Sequence, residues 1–516
     1  MASRRDELNA YTFAKKRTVA AFLQPSPSGT EEGAPKPLRA ILPGLIVAAL
    51  VVAGFGAWGM FKPNAPKGWD TPKTRVIVGK QSTTRYVVLE TGTGKDKKTL
   101  LHPVLNLASA RLLLDPDQFQ VVQVADEFLD RGKLPRGPII GIPYAPDRLP
   151  SADEAGKAKR WAVCEQPGGG AGASVQKATF LFAERDVKLT EGGNRLDDGE
   201  VLYVKGQAGS AQFLVDHTGT KYPVKAESTG LLTALVGLGK EPQPVTDDWL
   251  ATLKTGDEID FPRIDSAEVG RPTQVAGATL TETESRIGNV LLAPTGSGPQ
   301  HYVVLPGKVQ PVTPFTAWLL INAPQTRSLD MDGKPTPADA SSFVPDPTVF
   351  HGEANWPKLK STQVNALSGP GARDTVCSVL TGVDDKGRTT LTTWAGPQYP
   401  ADITAGGSST YVTPGTGLLY TQIQGRQKAP DGSLFLVTDT GLRYAVQANG
   451  DSDSARSEIG AGDKEKPTDG RPEPSDAQKH LGYEKVVPAL VPLEWSEFLS
   501  KGPRLDSNSA AQPQGS

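Results

Sequence analysis

The sequence predicts a membrane-anchored, β-rich α+β protein: one transmembrane helix, then an elongated exterior of four repeat subdomains around a central β domain with pseudo-two-fold symmetry. Three observations carry this expectation. The stretch Ala40 to Phe61, AILPGLIVAALVVAGFGAWGMF, holds no charge and lies between Arg39 and Lys62. Glycine and proline, 55 and 44 of 516 residues, punctuate the chain so densely that short strands and turns are favoured over a helical bundle. Two distant segments, FLVDHTGTKYPV (Phe213 to Val224) and FLVTDTGLRYAV (Phe435 to Val446), are copies of one design.

Residues 1–39 are expected to form a cytoplasmic amphipathic tail. Leu8, Tyr11, Ala14, Thr18 and Phe22 mark one side of a helix, with basic residues at Lys15, Lys16 and Arg17. Such a segment suits anionic lipid or a cytosolic partner, and Tyr11, Lys15, Lys16, Arg17 and Phe22 are the candidate docking residues. A solvated helix without a partner is the alternative. Residues 40–61 are long enough to cross a bilayer core, which takes ~20 apolar residues. A cleaved signal peptide would carry an apolar region of only about 7–15 residues. Ala49, Ala53 and Ala57 recur every fourth position, a small-residue stripe that admits a neighbouring helix, although abundant alanine produces the same spacing by chance. Pro63, Pro66 and Pro72 make 62–75 a semi-extended stalk.

Lys and Arg flank the span on both sides, so charge does not fix its orientation. The cysteines do more. There are two, Cys164 and Cys377, both beyond the span, and so sparse a pair in a large exterior points to one disulfide in an oxidising compartment. The expected topology is therefore single-pass, with the N-terminus inside and the bulk outside the membrane. Two unrelated buried thiols are the competing explanation. A bridge over so long a loop contributes roughly 5 kcal/mol by chain entropy.

The repeats organise the rest. Each copy is a hydrophobic run, a polar turn at Gly219 or Gly441, and a second run, hence a β-hairpin. Weaker copies lie at Tyr302 to Val312 and Tyr86 to Val104, and the four close on Val104, Val224, Val312 and Val446. Trp249, Leu253, Gly256 and Asp260 match Trp495, Leu499, Gly502 and Asp506: a Trp-to-Leu stripe one turn apart, read as core packing, before a glycine suited to a left-handed helix end. Leu129 and Gly132 echo the last portion of that stripe. Val201, Leu202 and Tyr203 echo Leu418, Leu419 and Tyr420.

The expected domains are repeat 1 (76–140), a first segment of the central domain (141–206), repeat 2 (207–265), repeat 3 (266–360), a second segment of the central domain (361–425) and repeat 4 (426–506). Repeat 4 is interrupted by a mobile acidic loop at 449–480, and a disordered tail follows at 507–516. The disulfide would tie two central sheets across the pseudo-two-fold axis.

Composition and motifs exclude several chemistries. A net charge of −2 gives no push toward nucleic acid. Each Gly-Lys pair (Gly79, Gly94, Gly132, Gly156, Gly239, Gly307 and Gly333) lacks the Ser or Thr of a phosphate-cradling loop. The glycines from Gly168 to Gly172 read as linker. Histidines 102, 217, 301, 351 and 480 have no zinc-type spacing. No catalytic residue, cofactor or metal site is expected, and an enzyme is not favoured.

The start RRDELNAYTFAKKRTVAAFL, the placement of the span after it and FLVDHTGTKYPV, taken with the two cysteines and the hairpins, resemble the EccB family. Its members are membrane components of the actinobacterial type VII (ESX) secretion apparatus, and the resemblance runs from Arg4 to about Asp506. It implies a structural core subunit assembled with the FtsK/SpoIIIE-type ATPase EccC, with EccD and EccE, and with a mycosin protease. It also implies four repeat domains around a central β domain, a bridge at Cys164 and Cys377, and an exterior that self-associates to build and stabilise the periplasmic face of the export channel. ATP hydrolysis is sometimes attributed to EccB, and it is carried as an alternative. A peptidoglycan-binding module is a second alternative.

Overall fold

The computed structural model describes residues 3–23, 38–61, 65–92, 97–131, 134–168, 174–403, 409–425, 432–446 and 474–514. Gly132, the glycines after Gly168 and the expected loop as far as 473 lie outside them. The chain divides into two compact units. One comprises residues within 1–69, 79–82 and 122–132, and the other comprises the remainder.

The first unit contains the helices Arg4–Leu23 and Leu38–Phe61. Asp6 and Glu7 in the first turn of Arg4–Leu23 complement the positive end of its dipole. Leu38–Phe61 has 24 residues. Its described side chains, Ile41 to Ala57, are exposed. Among the described residues no helix is long and apolar enough to cross a membrane. In the same unit the Asp126 carboxylate accepts from the Gln81 N–H at 2.7 Å and from the Ser82 hydroxyl, and Trp69 meets Phe128 edge-on at 5.5 Å.

The second unit is β-rich α+β. It opens with β1 (Arg75–Gly79, its last residue counted in the first unit), β2 (Arg85–Thr91) and β3 (Lys98–Val104), paired antiparallel in the order β3-β2-β1; β4 (Gln120–Val124) follows in sequence, with 122–124 in the first unit. Next come β5 (Arg160–Gln166) and β6 (Gln176–Phe182). The strands β7 (Glu200–Gly206), β8 (Gln212–Asp216), β9 (Thr220–Val224), β10 (Gln243–Val245) and β11 (Lys254–Thr255) are ordered β10-β7-β8-β9-β11. A further sheet of β12 (Val290–Thr295), β13 (Gly298–Leu305), β14 (Lys308–Val312) and β15 (Thr336–Pro337) is ordered β14-β13-β12-β15.

After β16 (Thr362–Gln363), which pairs with β7, the chain contributes β17 (Thr375–Val383), β18 (Thr389–Gly396) and β19 (Thr410–Val412) beside the earlier hairpin, giving β18-β17-β5-β6-β19. The two central segments thus form one sheet, where two were expected. β17 pairs directly with β5, and both strands are almost wholly buried, so splitting them would expose two apolar edges. The chain closes with β20 (Leu418–Ile423), β21 (Ser433–Val437), β22 (Leu442–Ala445), β23 (Ala489–Pro492) and β24 (Ser500–Lys501), ordered β23-β20-β21-β22-β24. This arrangement follows β10-β7-β8-β9-β11 strand for strand, including the parallel pairs at each edge.

All four expected hairpins form, as β2–β3, β8–β9, β13–β14 and β21–β22. Gly219, Gly307 and Gly441 turn three of them at φ of 70°, 71° and 80°, a region open chiefly to glycine. The echo of Val201-Leu202-Tyr203 in Leu418-Leu419-Tyr420 is out by one residue. Leu202 opposes Val215 as Leu418 opposes Val437, and Val204 opposes Phe213 as Tyr420 opposes Phe435. A slip of one exchanges the faces of a strand. Accordingly Leu202, Val204, Leu418 and Tyr420 share the central core, while Tyr203 and Leu419 face away from it into separate clusters.

That central core joins one face of the middle sheet to both flanking sheets, through Trp161, Val163 and Leu181 on one side and Trp249, Leu253, Trp495 and Leu499 on the other. The helix Leu107–Leu113 shares a cluster with Leu436, Tyr444 and Leu505 through Ala108 and Leu112, and Pro314–Asn322 shares one with Leu214, Tyr222 and Ile259 through Phe315 and Leu319.

Two further expectations are corrected. The end of the 449–480 segment is ordered as a helix, Asp476–His480, capped by Ser475 and burying Ala477. Residues from 507 also pack: Asp506 caps the helix Ser507–Ala510, Ala510 is buried, and Gln514 donates to the Gly141 carbonyl at 2.7 Å. Their polarity disguises docking that depends on backbone and cap bonds.

Candidate functional site

The middle sheet's second face carries the disulfide. Cys164 and Cys377 oppose each other in the β5–β17 register and are bonded, with Cα atoms 4.0 Å apart. Phe180, Phe182 and Trp394 pack around them, with Tyr399 and Tyr411 half-buried at the margin. Burial pushes the Tyr399 hydroxyl up to about 12, aided by the carboxylate of Glu165.

Glu165 follows Cys164 and therefore points to the opposite face, where it is buried. It accepts from the Thr246 N–H at 2.8 Å and from the Thr246 hydroxyl. Thr246 caps the helix Asp247–Ala251, whose Trp249 donates from Nε1 to the Val163 carbonyl at 3.0 Å. Burial raises the Glu165 pKa despite the Thr246 bonds that oppose the shift. Sequence reading missed this network, and the only signal available was a carboxylate adjacent to a buried cysteine.

Gly256 and Gly502 do not adopt positive φ. A side chain at Gly256 would run into the Tyr222 ring, and one at Gly502 into the Tyr444 ring. These glycines make room for a tyrosine of the neighbouring hairpin instead of ending a helix. The helices themselves stop earlier, at Ala251 and Ser496, and Leu253 and Leu499 lie beyond them.

The remaining sequence candidates fall in the first unit. Tyr11, Lys15, Lys16, Arg17 and Phe22 are exposed on Arg4–Leu23, and Ala49, Ala53 and Ala57 are exposed on Leu38–Phe61. Of the Gly-Lys pairs, Gly79 ends β1, Gly156 ends the helix Ala152–Gly156 and Gly307 turns a hairpin; Gly94 and Gly132 lie outside the described residues. Among the described residues no group of three or more His, Cys, Asp or Glu is placed to hold a metal ion.

Sheets packed about a disulfide-bonded middle sheet, preceded in sequence by a pair of long helices, define a β-rich α+β protein. The family model described as "Type VII secretion system ESX-1, transport TM domain B" matches residues 1–515, and the chain belongs to this EccB family. It is 26% identical over 436 residues to the "ESX-3 secretion system ATPase EccB3" of Mycolicibacterium smegmatis, covering 79% of this chain and 75% of that one. It is 24% identical over 490 residues to the "ESX-5 secretion system ATPase EccB5" of Mycobacterium tuberculosis, covering 89% and 87%.

Two solved structures share the fold. A chain of an intact ESX-5 inner membrane complex has a TM-score of 0.55 at 21% identity, with 100% of this chain and 96% of that chain covered. The EccB3 dimer from the ESX-3 core complex has a TM-score of 0.52 at 22% identity, with 85% and 99% covered.

Proposed function

We propose that this chain is a structural core subunit of a type VII secretion membrane complex, whose extracytoplasmic region self-associates to build and stabilise the periplasmic face of the export channel. The family match across residues 1–515 carries this reading. The shared fold with a chain of an ESX-5 inner membrane complex and with an EccB3 dimer supports it.

In this reading Leu38–Phe61 is the single membrane anchor, with the small-residue face Ala49, Ala53 and Ala57 against a partner helix. Arg4–Leu23 lies in the cytoplasm and engages machinery of the EccC, EccD and EccE kind, with a mycosin protease on the outer side. The exterior is four repeats about a central domain. The strand-for-strand agreement of β7–β11 with β20–β24 and the directly opposed cysteines support that duplication.

Native mass spectrometry of the complex extracted in mild detergent tests the assembly, with several copies of the chain and an FtsK-type ATPase expected in one particle. A solitary monomer overturns it. Protease protection in intact cells tests the topology, and cleavage of the bulk only from the cytoplasmic side overturns that element of the reading.

ATP hydrolysis is the second reading, favoured by the word ATPase in the relatives' names. Turnover by the purified chain that a point substitution abolishes would establish it.

A further inference from the structure

A cleft of about 410 Å³ opens where β6, the helix Asp247–Ala251, β22 and the segment Glu494 to Lys501 converge. Its size is that of a small-ligand site, roughly 300–1,000 Å³. Arg443 lines it yet is only 3% exposed. Its Nη1 donates to Gln422 Oε1 at 2.9 Å and to Ser496 Oγ, and the guanidinium carbon lies 5.2 Å from the Phe435 ring centre. Its Nε has no hydrogen-bond partner, and no carboxylate among the described residues pairs with it. A buried cation left in that condition is costly, and an anion entering the cleft would relieve it. At the matching position of the other hairpin, Lys221 is satisfied internally by the Leu250 carbonyl at 2.6 Å.

The rest of the lining sets the ligand's other requirements. Lys177 is already paired with Asp248 at 3.1 Å, with its ammonium 5.7 Å from the Phe498 ring centre. Glu494 and Glu497 line the cleft without an ion pair among the described residues, so they offer a place for a cation. Phe498 adds an apolar surface. Lys501 is a second cation on the lining. A complementary ligand therefore carries both an anionic and a cationic group on a small, partly apolar body.

We propose that this cleft binds a short peptide with both termini free, its carboxylate on Arg443 and its amine on Glu494 and Glu497. The site is independent of the assembly reading above.

Calorimetric titration of the full chain in detergent tests it with three probes: trialanine, N-acetyl-trialanine and trialanine amide. Trialanine is expected to bind, and each cap to weaken binding at least about tenfold, since a charged hydrogen bond lost at either end is worth that much. Arg443→Gln is expected to weaken trialanine about tenfold or more, and the Glu494→Gln/Glu497→Gln pair to abolish discrimination against the acetylated probe. Capped and free peptides binding alike to the unaltered chain would overturn the proposal, as would no response to millimolar trialanine. If Arg443→Gln fails to fold, the capped probes and the glutamate pair still decide.

Discussion

The hairpin β8–β9 with its helix Asp247–Ala251 and the hairpin β21–β22 with its helix Leu493–Ser496 have the same strand order and the same buried tryptophan, yet they settle their polar groups differently. In the first, Glu165 holds the cap Thr246, Tyr222 donates to Asp216 at 2.9 Å, and Lys221 reaches the Leu250 carbonyl. In the second, Pro492 caps without a side-chain bond, and Ser378, beside Cys377 as Glu165 is beside Cys164, buries a hydroxyl with no partner. Arg443 replaces Lys221 and leaves its Nε free. The apolar skeleton is what makes the two alike. The polar residues set upon it satisfy one half and leave a buried cation short of partners beside a cleft in the other.

The largest expected effect falls on what the halves share. Cys164→Ala with Cys377→Ala releases a loop of sequence separation 213 and should cost about 5 kcal/mol, read by chemical denaturation. Equal loss of hydrogen-exchange protection in both hairpins is expected, and a loss confined to one would break the comparison.

Trp249→Ala and Trp495→Ala should each cost about 3–5 kcal/mol in the same assay. Trp249→Ala should be the worse, because it also strips a donor from the Val163 carbonyl.

Gly256→Ala and Gly502→Ala should each cost about 1–3 kcal/mol by overpacking. Gly256→Ala should exceed its counterpart, since the new carbon also lies 2.9 Å from the Asn355 carbonyl oxygen. Melting temperatures that rank them the other way would show that the tyrosine rings yield more easily than the backbone.

Thr246→Ala removes a helix cap and the hydroxyl that donates to the buried Glu165, and should cost about 1–3 kcal/mol. Pro492→Ala, which removes no side-chain cap bond, should cost less in parallel melts.

The smallest effect is a pH slope. Glu165 titrates above its usual 4.5 in the folded chain, so the native state keeps a proton that the unfolded chain has released. Its contribution is full below about pH 4.5 and declines as pH rises through the folded value. Glu165→Gln should flatten that portion of the stability profile, and an unchanged slope between mildly acidic and neutral pH would sink the assignment.

The hairpins and the disulfide were legible in the sequence because their signals are local or scarce: glycine at a tight turn, alternating runs, and two cysteines in a long chain. The strand register at Tyr203 and Tyr420 was not, since β7 and β20 are buried on both faces and alternation carries no information there. Gly256 and Gly502 misled for a related reason. A glycine after a short helix reads as a left-handed cap, and only the tertiary approach of Tyr222 and Tyr444 explains it. Glu165 and Arg443 look like ordinary solvated charges until β5 and β22 are placed. The docked residues beyond 507 have no apolar periodicity, and their partners lie some hundreds of positions upstream.

The pairing of β5 with β17 also imposes a schedule on biogenesis. As the chain emerges from its N-terminus, β5 can pair at once with β6, but Cys164 must wait for a strand that begins at Thr375 before its partner cysteine arrives. The sheets β7–β11 and β12–β15 are translated in that interval and can nucleate first, because distant contacts carry the greater loop-closure penalty. Oxidation of the thiols is then a late checkpoint, and a premature liaison of Cys164 with a foreign thiol is the trap that this order of synthesis leaves open.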